Sequence, residues 1–257
     1  VPLTEPKRSH RATPSVGSVT IRRLPGYTAA VLRGPRANRL TAAMAQALID
    51  LAEETEDDER VRFLVIAGGG GNFCAGFEPD VDGAVVESLA AVSKPTLALI
   101  EGQALDEGLE LALALDLRVA HADARMGLRQ LLGGQLPRFG GSQRLPRLIG
   151  VAPALRMMMT GATVSGRQAL KLGLVTYTAA SRGAFAALRD RLVASLLARA
   201  PLATRLVKEA IVKGYDLTLD QGIRLEEDLY ALLQTTADRA EGVRAFLDKR
   251  KPLFKGR

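Results

Sequence analysis

Two stretches of this chain, "GGGGNFCAGFEPD" at residues 68–80 and "EGQALDEGLELA" at 101–112, each read as the end of a strand, a flexible loop and a helix start. Backbone N–H groups at a helix start lack intrahelical acceptors and lie at the positive end of the helix dipole, so such loops favour negative charge. Two of these N–H groups facing one point would form an oxyanion hole, which stabilises charge developing on a carbonyl oxygen. Glycines after strands also make ordinary turns, and spacing alone leaves both readings open. Asp106 and Glu107 fall at the predicted helix start, where acidic residues are favourable, so the simplest reading is a capped, dipole-compensated helix. Turned inward, Glu107 would instead oppose an oxyanion or serve as an acid/base, and a neighbouring Glu110 could raise its pKa by like-charge repulsion. Cys74 reads as a small buried thiol. Neither His10 nor His121 has an evident nucleophile to activate, and His121, on a predicted strand, reads as packed core. The run Met157–Met159 reads as core or subunit interface.

The elements that must position these residues follow from periodicity and turn chemistry. Residues 1–17 mix Pro, Ser and basic residues without a period and read as a mobile arm. "SVTIRR" and "YTAAVLR", joined by "LPG", predict a hairpin. Thr41 should cap the helix of "TAAMAQALIDLAEETEDD", after which "VRFLVIAGGGG" is a buried strand running into a glycine loop. Strand, strand and helix recur through "TLALIEG", "EGLELALALD" and "LRVAHA". That alternation predicts an α/β fold of buried strands covered by helices. Beyond Pro137 the pattern is helical, with residues 183–249 read as three longer helices and a boundary near Pro201. The domain reading is thus an arm at 1–17, a core at 18–200 and a C-terminal helical module at 201–257.

Composition limits the function classes. In 257 residues, 47% are apolar and 25% charged, the balance of a globular chain. No apolar run approaches the roughly 20 residues of a membrane-spanning helix, and the basic N-terminus lacks the apolar stretch of a signal peptide, so a cytoplasmic location is expected. A single cysteine excludes an internal disulfide framework and is too few for a thiolate metal cage, and no metal is expected. The net charge of +7 points to a phosphate-bearing partner. Aromatic residues are only 4% of the chain and Trp is absent, which argues against nucleic acid as that partner.

Seven segments, in order, carry a resemblance: "PRANRLT" from Pro35, "FCAGF" at 73–77, "GLELALALDLRVA" from Gly108, "GGSQRLPR" from Gly140, "TG" at 160–161, "ALKLGLV" at 169–175 and "EGVRAFLDKRKPLF" at 241–254. Together they resemble the enoyl-CoA hydratase/isomerase (crotonase) family over roughly residues 18–257, with the middle region most like the methylglutaconyl-CoA hydratase branch. The resemblance implies a spiral of strand-strand-helix turns and a C-terminal helical module that assembles trimers, often hexamers. It implies an acyl-CoA thioester as substrate, with no cofactor beyond that CoA moiety and no membrane partner. Phe77 matches the position supplying the first oxyanion N–H, and Glu107 stands where the family has the glycine supplying the second. Glu110 matches the first catalytic glutamate of hydratases, and Gln130 falls where the second stands. Ala37 and Asn38 match the segment bordering the adenine, and Tyr230 and Lys249 match C-terminal positions that help hold CoA.

Hydration needs a base for water and an acid for the α-carbon, which suits two carboxylates, and Gln130 cannot transfer a proton, though its amide can orient a water or a thioester. The leading expectation is an enoyl-CoA hydratase-like lyase working through a backbone oxyanion hole and one glutamate. Alternatives are a decarboxylase or a double-bond isomerase of the same family, a weakly catalytic acyl-CoA binder, or an RNA-binding homologue. The segment "EPDVDGAVVESLAAVSKP" after Phe77 is short for the family and predicts a more open or differently shaped acyl pocket.

Overall fold

The computed structural model describes residues 17–257, so His10 and all of the predicted arm except Gly17 lie outside the described residues. Nine strands are present among the described residues: β1 (Ser18–Leu24), β2 (Tyr27–Arg33), β3 (Phe63–Gly68), β4 (Thr96–Ile100), β5 (Gln103–Leu105), β6 (Leu117–His121), β7 (Arg125–Gly127), β8 (Val164–Ser165) and β9 (Tyr177–Ala179). They form a six-stranded sheet ordered β1-β2-β3-β4-β6-β9 and a three-stranded sheet ordered β5-β7-β8. β1 and β2 are the predicted hairpin, closing at Leu24↔Tyr27 around Gly26, whose φ of 83° is one that glycine adopts without steric penalty. From β2 onward the large sheet is parallel, and its central strands are apolar on both faces, as a sheet covered on both sides requires.

The two sheets make the spiral. β4 ends in the large sheet, and after Glu101 and Gly102 the chain enters β5 in the small sheet before turning into helix α4 (Glu107–Leu113). β6 and β7 repeat the step. An isolated bridge between Cys74 and Ala104 carries the loop after β3 onto β5 in the same manner. This is the strand-strand-helix recurrence expected from the sequence. One face of the large sheet packs Ala30, Leu32, Leu64 and Ile66 against α2 (Ala42–Asp57), α3 (Ala84–Ala91) and α4. The other packs Ala29, Phe63, Val65 and Leu97 against Phe185 and Val193 of α8 (Arg182–Leu197).

Thr41 caps α2, accepting from Met44 N as predicted. The C-terminal region contains four helices and not the expected three: α8, α9 (Pro201–Gly214), α10 (Leu219–Gln234) and α11 (Ala237–Leu247). Thr218 starts α10 with a capping box, and Thr236 caps α11 by accepting from Arg239 N; each is a local start signal, and periodicity that runs through one such boundary counts three helices where there are four. Lys208 ties α9 to the core through Asp116 at 2.7 Å and the carbonyls of Val92 and Lys94. Nor is His121 packed core. It sits half-buried at the end of β6, its ring tilted against Phe185 at 6.5 Å. No helix among the described residues is long and apolar enough to cross a membrane.

Candidate active site

Glu110 is fully buried on α4, whose Leu109, Leu111, Ala112 and Leu113 fix the helix in the core. Its Oε1 accepts from the backbone N–H groups of Phe139 and Gly141, both at 2.8 Å, and its Oε2 accepts from Gln130 Nε2 at 3.1 Å. Burial pushes the Glu110 carboxyl above its ordinary range and the charge of Glu107 pushes the same way, against the pull of the Gly141 and Phe139 N–H groups. Arg144, half-buried beside this cluster, holds the Phe139 carbonyl at 2.8 Å.

Gln130 opens the 3₁₀ turn Gln130–Gly133 and is nine-tenths buried. With its Nε2 committed to Glu110, its buried Oε1 has no donor among the described residues. An unpaired buried carbonyl loses the hydrogen bonds it would make in water, so this oxygen is a ready acceptor for an O–H or N–H brought to the site. Gln130 is held in place from α4. Asp106 accepts from Arg129 N at 2.7 Å and pairs with Arg129 Nη2 at 2.6 Å. This corrects the reading of Asp106 as a side-chain cap. Its carboxylate clamps the loop ahead of Gln130 and makes no cap bond, while its backbone at φ 54° turns β5 into α4.

Phe77 and Glu107 also meet. Leu40 and Phe77 form a parallel bridge, and Arg39 fastens the loop by donating to the carbonyls of Ala75 and Phe77 and to Glu78 Oε1. Behind it, Gly108 packs so tightly that a Cβ there would lie 2.0 Å from the Cys74 carbonyl oxygen. This close approach brings the first turn of α4 against the Phe77 loop. The Glu107 N–H, first in the helix, has no intrahelical acceptor. The Glu107 side chain does not point to solvent as a dipole-compensating residue would; its Oε2 faces the Phe77 N–H at 3.4 Å. A carboxylate of the protein therefore holds the place where a carbonyl oxygen would meet that N–H.

Cys74 is buried, its Sγ 3.2 Å from the Gly76 carbonyl, and burial pushes the thiol up to about 12, which removes it as a nucleophile. Asn38 is buried and pins the neighbouring turn, donating to the carbonyls of Asn72 and Phe73, while Ala37 is exposed beside it with φ 62°. This turn lies against the Phe77 loop through Arg36, Arg39 and Glu78. Tyr230 lies exposed on α10, and Lys249 follows α11 with φ 52°. Neither side chain hydrogen-bonds the Glu110 cluster among the described residues. No group of three or more His, Cys, Asp or Glu side chains there could hold a metal. Sequence reasoning missed the Phe139 and Gly141 donors, the Asp106–Arg129 clamp and Arg144. Main-chain donors leave no residue signature, although Gly140 and Gly141 open a motif that was singled out.

Residues 28–257 match the model of the enoyl-CoA hydratase/isomerase family. The chain is 40% identical over 253 residues to human enoyl-CoA hydratase domain-containing protein 2, mitochondrial, covering 90% of this chain and 86% of the human protein. It is 36% identical over 243 residues to rat methylglutaconyl-CoA hydratase, mitochondrial, covering 85% and 76% of the two chains. The crystal structure of enoyl-CoA hydratase from Bacillus anthracis superposes with a TM-score of 0.88 at 30% identity, covering 93% of this chain and 99% of that one.

Proposed function

The chain belongs to the enoyl-CoA hydratase/isomerase (crotonase) family, an enzyme of hydratase/isomerase type acting on CoA thioesters, and from that premise we propose that it hydrates an enoyl-CoA with one carboxylate, Glu110. The observation that supports this reading is the Glu110–Gln130 pair. Gln130 donates an amide N–H to Glu110 and its Oε1 has no donor among the described residues, so a water placed there could give one O–H to Gln130 and the other to Glu110. With the thioester carbonyl polarised by the Phe77 and Glu107 N–H groups, the water oxygen bonds to the β-carbon as Glu110 takes its proton. The π electrons move onto the thioester as an enolate. Glu110 then returns the proton to the α-carbon, so water adds across the double bond with no net change at the enzyme. CoA is held in this proposal by the Ala37–Asn38 turn and by Tyr230 and Lys249, with no further cofactor. The assembly is a homotrimer or hexamer. A cytoplasmic location is proposed, although the human and rat relatives are named as mitochondrial.

Steady-state hydration of crotonyl-CoA and of a branched enoyl-CoA tests the reading. The parent is expected to turn over at least one of them, and Glu110→Gln to lose on the order of 10²–10⁴ of that rate, the range one positioned acid/base contributes. A parent inert on both that releases carbon dioxide from a malonyl-type thioester would replace hydration with decarboxylation, where loss of carbon dioxide itself generates the enolate. An inert parent that gains hydration with Gln130→Glu would identify an acyl-CoA-binding site lacking its second carboxylate.

A further inference from the structure

On the sheet face away from Glu110, a cleft of about 560 Å³ opens between α8 and strands β1 to β4. Strand alternation places Arg22 and Val31 on the same face as Phe63, Val65 and Leu97, which α8 covers with Phe185 and Val193. A sheet face under a helix is ordinarily apolar throughout, yet beyond Phe185 this one turns cationic, with Arg33 also in its wall. The helix does the same. Its residues 182, 185, 186 and 189 have the spacing of a packing stripe, and two of the four are arginines.

Arg189 is 6% exposed and paired with Asp190 at 2.8 Å. Among the described residues neither Arg22 nor Arg182 has an ion-pair partner, and Glu101 is the one carboxylate of the lining. Guanidinium groups converging from two walls of a concave site repel one another and focus a positive potential that an anion would relieve. Their planar forks match phosphate oxygens. Val31, Ala67 and Phe185 give the cleft an apolar wall, and the exposed turn at Gly70 and Gly71 forms its rim. The volume lies within the roughly 300–1,000 Å³ usual for small-molecule sites.

We infer that this cleft is a second ligand site, separate from the acyl-CoA site, that takes a small phosphate ester bearing a ring, of the size of a nucleotide. The phosphates lie among Arg22, Arg182 and Arg189 and the ring on the apolar wall. The sheet stands between this cleft and the Glu110 site, since the Phe77 loop and α4 pack on the opposite face with Ala30, Leu32, Leu64 and Ile66. The rim at Gly70 and Gly71 comes near the turn of Ala37 and Asn38, where Asn38 donates to the Asn72 carbonyl, so butyryl-CoA is the competitor that tests the separation. An RNA strand fits less well, because its phosphates need an open basic track and this cleft is walled by α8.

Calorimetric titration of the full chain with ADP, with and without saturating butyryl-CoA, tests the site. One ADP per chain is expected, with unchanged affinity when butyryl-CoA is present. Arg182→Glu, at an exposed helix position, should weaken ADP by about tenfold or more, and Arg22→Ala should do likewise, while crotonyl-CoA turnover and Tm stay at parent values. Absence of ADP binding at millimolar concentration, displacement of ADP by butyryl-CoA, indifference to both substitutions, or tighter binding of a short RNA than of ADP would each overturn the inference. The arginine dependence is read without butyryl-CoA, so it stands or falls apart from the hydration proposal.

Discussion

Glu110 joins the stability of the fold to the chemistry of the site. Burial and the Glu107 charge raise its carboxyl in the folded chain above the ordinary 4.5. A carboxyl with a raised folded pKa binds its proton more tightly folded than unfolded, so its contribution to stability is complete below pH 4.5 and is lost as pH rises through the folded value. Glu110→Gln removes that loss and fits the local donors. Its Oε1 keeps the N–H groups of Phe139 and Gly141, and its Nε2 can donate to a flipped Gln130 whose Oε1 now has no donor. Thermal denaturation should therefore give the variant a higher Tm than the parent at pH 7, with the gap closing below pH 4.5. A lower Tm at pH 7 would mean that the charge of Glu110 is fully compensated in place. Glu107 allows a second expectation. Two unit charges about 4 Å apart repel by roughly 4 kcal/mol at an effective dielectric near 20, so an ionised Glu107 at the Phe77 N–H opposes an enolate there. Its 3.4 Å contact is long and readily broken. Glu107→Gly should raise kcat/KM for the enoyl-CoA by about tenfold, a modest part of that repulsion. If kcat/KM falls instead, the side chain takes part in proton transfer.

At the scale of elements, the close approach of α4 to the Phe77 loop depends on Gly108. Gly108→Ala would put a methyl group 2.0 Å from the Cys74 carbonyl, a backbone atom that cannot turn aside, and forcing α4 away should lower stability by about 1–3 kcal/mol. Hydration should fall further than stability explains, since the two N–H groups no longer face one point; equal kcat in soluble Gly108→Ala protein would show that the hole does not need this packing. Such elements were partly legible in the sequence. The hairpin at Gly26, the Thr41 cap and the alternation of strands and helices are local signals, and each is present in the structure. The division of the last region into four helices follows from helix starts at Pro201, Thr218 and Thr236, and a periodicity reading that runs through one of them counts three. The pairing of Glu110 with Gln130 could be drawn only as what a family resemblance implies, because 20 residues separate them in the chain and the small sheet brings them together. The inward turn of Glu107 and the Asp106–Arg129 clamp were out of reach for the same reason: an acidic pair at a helix start looks alike whether it faces solvent or a loop far off in sequence.

At the scale of the whole molecule, the described residues leave one face uncovered. α10 buries none of its residues, and Leu219 on it and Phe246 on α11 are 79% and 83% exposed. A helix exposing that much apolar surface is commonly an interaction site, and a patch repeated on identical copies is satisfied when the copies close into a ring. The proposed homotrimer or hexamer places this face between copies, beside Tyr230 and Lys249. Sedimentation equilibrium should then give a mass three or six times 27.4 kDa. Phe246→Asp combined with Leu247→Asp should reduce it to that of one chain and lower Tm through loss of the assembly alone, since both side chains are exposed in the single chain and have little packing to lose there. A parent that sediments as one chain would remove the assembly from the proposal and leave the Glu110 site to work in a monomer. A variant that stays assembled would move the interface to another face of the molecule. If the variant is monomeric and folded, its KM for the CoA thioester tests whether Tyr230 and Lys249 hold CoA only within the assembly: a raised KM with kcat little changed is expected, since the Glu110 cluster lies within one chain.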